Sequence, residues 1–166
     1  MTANAHIQLL MRYRSWANAL MFDALSGLPG AVLTEPQPIV FGSIIRTLNH
    51  VRAMDAVWQA HLLGQPHGMT TRNPAECPPL ATLREAQRSI DAWFVDYADG
   101  LADAQQQEQI RFRFIGGGES TMTRALILLH VANHATYHRG HVADMMYRAG
   151  AVPPTTDLPV FLATHS

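Results

Sequence analysis

The sequence predicts an all-α protein, a four-helix bundle with long crossover loops and a small hairpin before the last helix. Four segments of about 20 residues carry apolar side chains at helical spacing. Stretches rich in Gly and Pro separate these segments, and two of the stretches are long. The chain of 166 residues is 48% hydrophobic and 15% charged. This balance is typical of one globular domain, which we expect to span residues 1–166.

The first helix is expected from about Asn4 to Ser26, where apolar side chains recur every three or four residues. Gly27 and Pro29 end it, and residues 31–42 are predicted to form a loop or crossover. The second helix begins near Ser43, whose hydroxyl suits an N-cap.

The second helix is predicted to stop at Gly64, and the loop 64–79 follows. The third helix starts at about residue 79 or 82 and continues to about Gly100. Together with the first helix, these segments account for three of the four helices of the bundle.

Residues 109–122 alternate between polar and apolar side chains before a run of glycines, and they carry the only strand signal. The fourth helix is expected from about Thr123 to Ala149, with Gly150 in the C′ position. Pro153 and Pro154 prevent its continuation. We expect an irregular tail after Pro154, with enough apolar side chains to dock on the bundle.

Composition excludes several classes of function. No apolar run reaches membrane-spanning length, and the N-terminus lacks the order of a secretory signal, so we expect a cytoplasmic protein with no membrane partner. Cys77 is the single cysteine, so no intrachain disulfide can form. A net charge of -1 without a basic cluster predicts no nucleic-acid binding.

Histidines interrupt the apolar stripe of the fourth helix. His134 and His138 occupy stripe positions, and burying two unpartnered imidazoles costs about 1 to 3 kcal/mol each. Residues four apart lie one above the other on a helix, so this pair can bind one metal ion. His130 makes an equally good pair with His134, and spacing leaves both pairs open. His50, on the apolar face of the second helix, is a candidate third ligand.

His61 lies eleven residues beyond His50, about 16 Å along a helix axis, and is expected at the surface. A site of three histidines keeps a coordination position for water or substrate, which is typical of catalytic metal sites. Ala135 stands where a helical zinc peptidase has its Glu. No helix offers the Glu-x-x-His set of di-iron bundles, so the sequence supports neither of those two classes.

Three segments resemble the DinB-like family of small bacterial four-helix-bundle metalloproteins, also grouped as DinB/YfiT-like metalloenzymes. They are Leu48–Trp58 (LNHVRAMDAVW), Leu129–Gly140 (LHVANHATYHRG) and Tyr13–Asn18 (YRSWAN). Helix order and length agree over nearly the whole chain. The resemblance implies that His50, His134 and His138 bind the metal and that His130 has a neighbouring or structural role. His141 departs from the family pattern, where Gln is common.

The resemblance also implies a homodimer and an activity related to the metal-dependent transferases and isomerases that use low-molecular-weight thiols. The leading hypothesis is a divalent metal ion, zinc or nickel in preference to iron or manganese, that activates a thiol or water nucleophile toward a small-molecule substrate. The alternative is a non-catalytic metal-binding or stress-associated dimer in which His130 or His141 supplies a fourth ligand. A third hypothesis treats the histidines as core groups without metal.

The sequence also predicts roles for side chains around the histidines and in the core. Asn49, Asp55 and Asn133 are candidate hydrogen-bond partners of the metal-binding imidazoles, although a solvent-exposed or inter-helix role suits Asp55 equally. Arg139 is expected to bind an anionic substrate group or to form a salt bridge. Four large aromatic side chains are expected in the core, and the tyrosine among them keeps its hydroxyl available for a polar contact near the site. They are Trp16, Trp58, Trp93 and Tyr137.

Overall fold

Four long helices form the body of the protein in a computed structural model that describes residues 3–165. Their bounds lie within a few residues of those predicted, and the all-α four-helix bundle with one small hairpin is confirmed. In chain order the elements are α1 Ala3–Ser26, α2 Gly30–Thr34, α3 Ile44–Leu62, α4 Leu80–Gly100, α5 Asp103–Gln106, β1 Gln109–Arg113, β2 Glu119–Thr123, α6 Arg124–Arg148 and α7 Leu158–Thr164.

The arrangement of the helices explains two of the long connections. Helix α1 packs chiefly against α4 and α6, and α3 packs against the same two helices. Consecutive long helices α1 and α3 are therefore diagonal partners, as are α4 and α6. Connections between diagonal helices must cross an end of the bundle, which takes more chain than a turn between neighbours. The segment 31–42, predicted as a loop or crossover, contains part of the short helix α2 and buries Leu33.

Local sequence fixes the ends of the helices that carry the histidines. The Ser43 hydroxyl accepts a hydrogen bond from the Arg46 amide at the start of α3, and Thr123 does the same for Leu126 at the start of α6. Gly150 has φ of 75°, its amide donates to the Tyr147 carbonyl, and the next amide donates to Met146. This is a Schellman ending, and it confirms Gly150 in the C′ position.

Strands β1 and β2 form the predicted hairpin. They pair antiparallel, with Gln109 opposite Thr123 and Arg113 opposite Glu119. Gly116, Gly117 and Gly118 all have positive φ in the turn, a conformation that glycine adopts without steric cost. The hairpin lies against α3 and α6 and buries Phe112. It therefore covers the two helices that supply the candidate metal ligands.

The interior contains two apolar clusters with a polar layer between them. One cluster includes Met11, Phe94 and Leu128, and the other includes Leu25, Ile44 and Met145. Each of the four long helices passes from one cluster to the other through buried polar side chains near its middle. These side chains are Arg14, Asn18, Asn49, His50, Asp55, Gln87, Asp91, His138 and Arg139.

The tail departs in part from expectation. Residues after Pro154 were expected to be irregular, but they include helix α7. Phe161 is buried against Tyr13 and Trp16, so the expected docking of the tail on α1 is correct. None of the helices within residues 3–165 combines the length and the hydropathy needed to cross a membrane.

Candidate metal centre

Three imidazoles converge at mid-height between α3 and α6. His50 comes from α3, and His134 and His138 come from successive turns of α6. Their potential ligand atoms all lie within 4.8 Å of one another. His50 Nε2 is 3.1 Å from His134 Nε2, and the rings of His134 and His138 are 4.5 Å apart between centroids. The structure thus brings together the three histidines singled out in the sequence.

The orientation of His50 is fixed from outside the bundle. Its Nδ1 donates a hydrogen bond to the Arg72 carbonyl oxygen at 2.7 Å, in the loop between α3 and α4. A neutral imidazole that donates through Nδ1 keeps its Nε2 lone pair free, and this atom faces the other two histidines. Phe41 stacks on the His50 ring at 3.9 Å between centroids. Two loop residues therefore hold the ring in a ligand-ready orientation.

All three rings are neutral near pH 7. Burial lowers the pKa of His134 to about 3, and the neighbouring His138 and His50 lower it further. Burial, assisted by His50 and His141, lowers the pKa of His138 to about 4. Burial also lowers the pKa of His50, although the hydrogen bond to Arg72 opposes this shift. Neutral imidazoles are the form that binds metal ions.

The residues fit a divalent ion. In a tetrahedral zinc site with Zn–N bonds of about 2.0 to 2.1 Å, two ligand nitrogens lie roughly 3.3 Å apart. The separation of 3.1 Å between the Nε2 atoms of His50 and His134 is close to this value. His138 Nδ1 is buried and has no hydrogen-bond partner among the described residues. The cluster could therefore hold a metal ion.

His130 and His141 lie beside the cluster without joining it. The His130 ring packs edge-on against Trp58 and lies 5.7 Å from the His134 ring. His141 packs against Tyr137, and its ring is 5.4 Å from that of His138. Within the described part of the chain, the group whose ligand atoms meet contains His50, His134 and His138 alone.

Two predictions about exposure were wrong. His61 was expected at the surface but is only 8% exposed, because the hairpin and the loop after α3 cover it with Phe112 and His67. Tyr137 was expected in the core but is 62% exposed beside His141. The three tryptophans are half-buried against the core clusters.

None of the three predicted hydrogen-bond partners contacts the imidazoles. Asn49 donates to the Glu76 carbonyl, Asn133 is exposed, and Asp55 binds Arg14. The partner of His50 is instead the carbonyl of Arg72. Every residue has a carbonyl, so no side-chain pattern could have revealed it. Phe41 was also missed, because it reaches His50 only through the path of a loop.

Arg14 lies at the centre of the polar layer. Its guanidinium is completely buried, binds Asp55, and places Nη1 2.7 Å from Asp91 Oδ1. Gln87 donates to Asp55 at 2.8 Å and to Asp91 at 3.0 Å. Burial raises the pKa of Asp55 to about 6, although Arg14 opposes the shift. The inter-helix role considered for Asp55 is therefore correct.

Arg139 does not form the predicted salt bridge with any residue in the described range, and its contact with an anionic substrate group stays a prediction. It is buried and donates hydrogen bonds to Asn18, Tyr13 and Thr136. Burial lowers the pKa of the guanidinium. Its contacts connect α6 to α1 within the polar layer.

Fold and cluster together define a helical-bundle protein with a three-histidine group that could hold a metal ion. A sequence model of the DinB family matches residues 1–165, and the chain belongs to this family. The chain is 27% identical over 157 residues to Protein DinB of Bacillus subtilis (strain 168), covering 92% of this chain and 91% of that protein. The resemblance expected from the three motifs is thereby confirmed.

A solved structure supports the same assignment at the level of the fold. The crystal structure of a DinB-like protein from Bacillus cereus ATCC 10987 superposes with a TM-score of 0.68 at 20% sequence identity. The match covers 87% of this chain and 91% of that one. The two proteins therefore share the fold.

Proposed function

We propose that this protein binds a divalent metal ion through His50, His134 and His138. In this proposal it is a metal-dependent enzyme that activates a thiol or water nucleophile, and its reaction class is thiol transfer to an electrophile. The observation that carries this proposal is the convergence of three neutral imidazoles beside a cavity. His50 and His134 line that cavity, so a substrate can reach the cluster from the side away from the bundle interior. Membership in the DinB family is consistent with this function.

The chain's own residues have distinct tasks in this proposal. The three imidazoles hold the ion, the Arg72 carbonyl keeps the His50 Nε2 atom turned toward it, and Phe41 restricts the ring by stacking. A divalent ion held in this way lowers the pKa of a bound thiol or water toward neutrality. Borderline imidazole ligands suit zinc and nickel and also accept iron or manganese.

The number of imidazoles favours a catalytic over a purely structural role. Structural zinc sites are closed by four protein ligands, whereas catalytic sites keep one position for water or substrate. His130 and His141 are the side chains that the non-catalytic alternative requires as a fourth ligand. Both lie outside the group of ligand atoms within 4.8 Å of one another.

The test compares metal content and turnover in matched histidine variants. Protein purified without added metal is expected to contain about one divalent ion per chain, which elemental analysis measures. His134→Ala removes a central ligand and is expected to lose the metal together with glutathione transfer to a panel of electrophiles. His6→Ala changes an exposed histidine outside the cluster and is expected to keep both.

Two results would contradict parts of the proposal. Wild-type protein that takes up no zinc or nickel would exclude the metal site. Protein with a full complement of metal and no turnover on the whole panel would reject the enzymatic role and favour the non-catalytic alternative. Far-UV circular dichroism of His134→Ala separates loss of ligand from loss of fold.

A further inference from the structure

A cavity of about 360 Å³ opens directly onto the histidine cluster. It lies between α3, α6, strand β1 and the loop that follows α3, and His50 and His134 form part of its wall. This volume falls in the range of small-molecule sites, which begins at about 300 Å³. A molecule in this cavity would therefore contact the same imidazoles that could hold the ion.

Aromatic rings dominate the wall. Phe41, Trp58, Phe112 and Phe114 all line the cavity. Trp58 packs edge-on against Phe112 at 5.1 Å, and Phe112 packs edge-on against Phe114 at the same distance. Rings that restrain one another keep a preformed apolar surface, which favours a flat apolar group through burial and ring packing.

Positive charge lies at the mouth. Arg72 and Arg113 are among the residues that line the cavity, both side chains are exposed, and none of the described lining residues is an aspartate or glutamate. Neither guanidinium forms a salt bridge with another residue of the described range. Glu119 is opposite Arg113 in the hairpin register and lines a neighbouring cleft that Arg113 also borders, but the two side chains form no salt bridge. The two guanidiniums are thus available to bind a carboxylate, which matches their planar fork.

We propose that this cavity binds an aromatic or similarly flat apolar compound that carries a carboxylate, with the apolar part against the rings and the carboxylate at Arg72 and Arg113. That the bound compound is the electrophilic substrate rests on the proposed function. The binding itself depends only on the rings and the two arginines.

Three simple probes test the proposal by isothermal titration calorimetry. 4-Phenylbutyrate has both features, 4-phenylbutan-1-ol lacks the charge, and butyrate lacks the ring. We expect 4-phenylbutyrate to bind roughly tenfold more tightly than either of the others. Compared with the alcohol it gains a modest charged hydrogen bond to an exposed arginine, and compared with butyrate it gains the burial of an apolar ring. The preference is expected in both metal-free and zinc-loaded protein.

Matched variants locate the site. Arg113→Gln is expected to remove most of the preference for the acid over the alcohol. Arg72→Gln is expected to do the same, and it keeps the backbone carbonyl that orients His50. Arg111→Gln is the control, because Arg111 is exposed on the same strand but lines only the neighbouring cleft. Ile115→Trp places a bulky ring in the cavity and is expected to weaken the binding of both aromatic probes.

Equal affinity for the acid and the alcohol would overturn the proposal, as would an undiminished preference in both arginine variants. Acid binding that requires zinc would also overturn it, because the ion rather than the arginines would then hold the carboxylate. The proposed function can be contradicted without contradicting this binding proposal. A chain that takes up no metal would contradict the metal-dependent enzyme without changing the affinity of metal-free protein for 4-phenylbutyrate.

Discussion

The imidazole of His134 packs beside the imidazoles of His50 and His138, and its protonation is strongly disfavoured. Burial is the main reason that its pKa falls to about 3, and the buried Arg14 guanidinium acts in the same direction as His138 and His50. In the unfolded chain the same ring has a pKa near 6.5. The folded, metal-free protein therefore binds a proton at this ring less tightly than the unfolded chain does, and acid shifts the equilibrium toward unfolding.

The pH dependence of stability tests this effect. The contribution of neutral His134 is fully present above pH 6.5 and is lost progressively as the pH falls toward 3. Between pH 7 and pH 4.5, metal-free wild type is therefore expected to lose about 2 kcal/mol more free energy of unfolding than His134→Gln. Urea unfolding in a chelator measures both proteins, and comparing them cancels the contributions of unrelated groups.

His6→Gln is the control for this measurement, because His6 is exposed. It is expected to show the same pH dependence as wild type. Parallel curves for wild type and His134→Gln would mean that the ring is free to take up a proton in the folded state. The neutral state of the clustered histidines, on which the metal site depends, would then be wrong.

At the scale of the elements, the polar layer holds three helices together through Arg14. The guanidinium of α1 binds Asp55 of α3 and lies beside Asp91 of α4, and all three side chains are buried. A buried ion pair adds little net stability over apolar packing, but removing one partner leaves an uncompensated charge in the interior. Loss of Arg14 would leave two buried carboxylates without their cation.

Arg14→Met is therefore expected to lower the free energy of unfolding at pH 7 by about 3 to 5 kcal/mol in urea unfolding. Arg12→Met is the matched control, two residues earlier on the same helix. Arg12 pairs with Asp99 at 2.8 Å with both side chains exposed, so its loss is expected to cost less than about 1 kcal/mol. Similar costs for the two variants would show that the buried network does not hold the helices in place.

At the scale of the whole molecule, the cluster joins two helices that are separated by a long stretch of chain. The three rings of His50, His134 and His138 meet only in the folded state. An ion that binds them therefore raises the free energy of unfolding by mass action. At a free zinc concentration 1,000 times the dissociation constant, the gain is about 4 kcal/mol.

For a chain of this size, a gain of 4 kcal/mol corresponds to a rise in Tm of about 8 to 16 °C, which differential scanning calorimetry detects. His138→Ala removes one ligand and is expected to lose most of this rise, whereas His67→Ala, outside the cluster, is expected to retain it. An unchanged wild-type Tm on addition of zinc or nickel would support the hypothesis that the histidines are core groups without metal.

The helices and the main candidates for the site could be predicted because their signals are local. Apolar spacing, Ser43 and Gly150 locate α3 and α6 to within a few residues, since caps and periodicity act within a few turns of chain. Spacing also places His134 and His138 on one face of α6. It could not choose between His130 and His138 as the partner of His134, and it was the family resemblance that made this choice.

The sequence by itself determined the four helices, the hairpin and the membership in the DinB family, because each depends on short-range patterns or on whole-chain similarity. The tertiary structure decided what surrounds each histidine. Only the packing of α3 against α6 brings His50 to His134, and only the paths of the loops bring Arg72 and Phe41 to His50. His61 is buried for the same reason. Contacts between distant segments depend on how the loops return to the bundle, and no local pattern records that path.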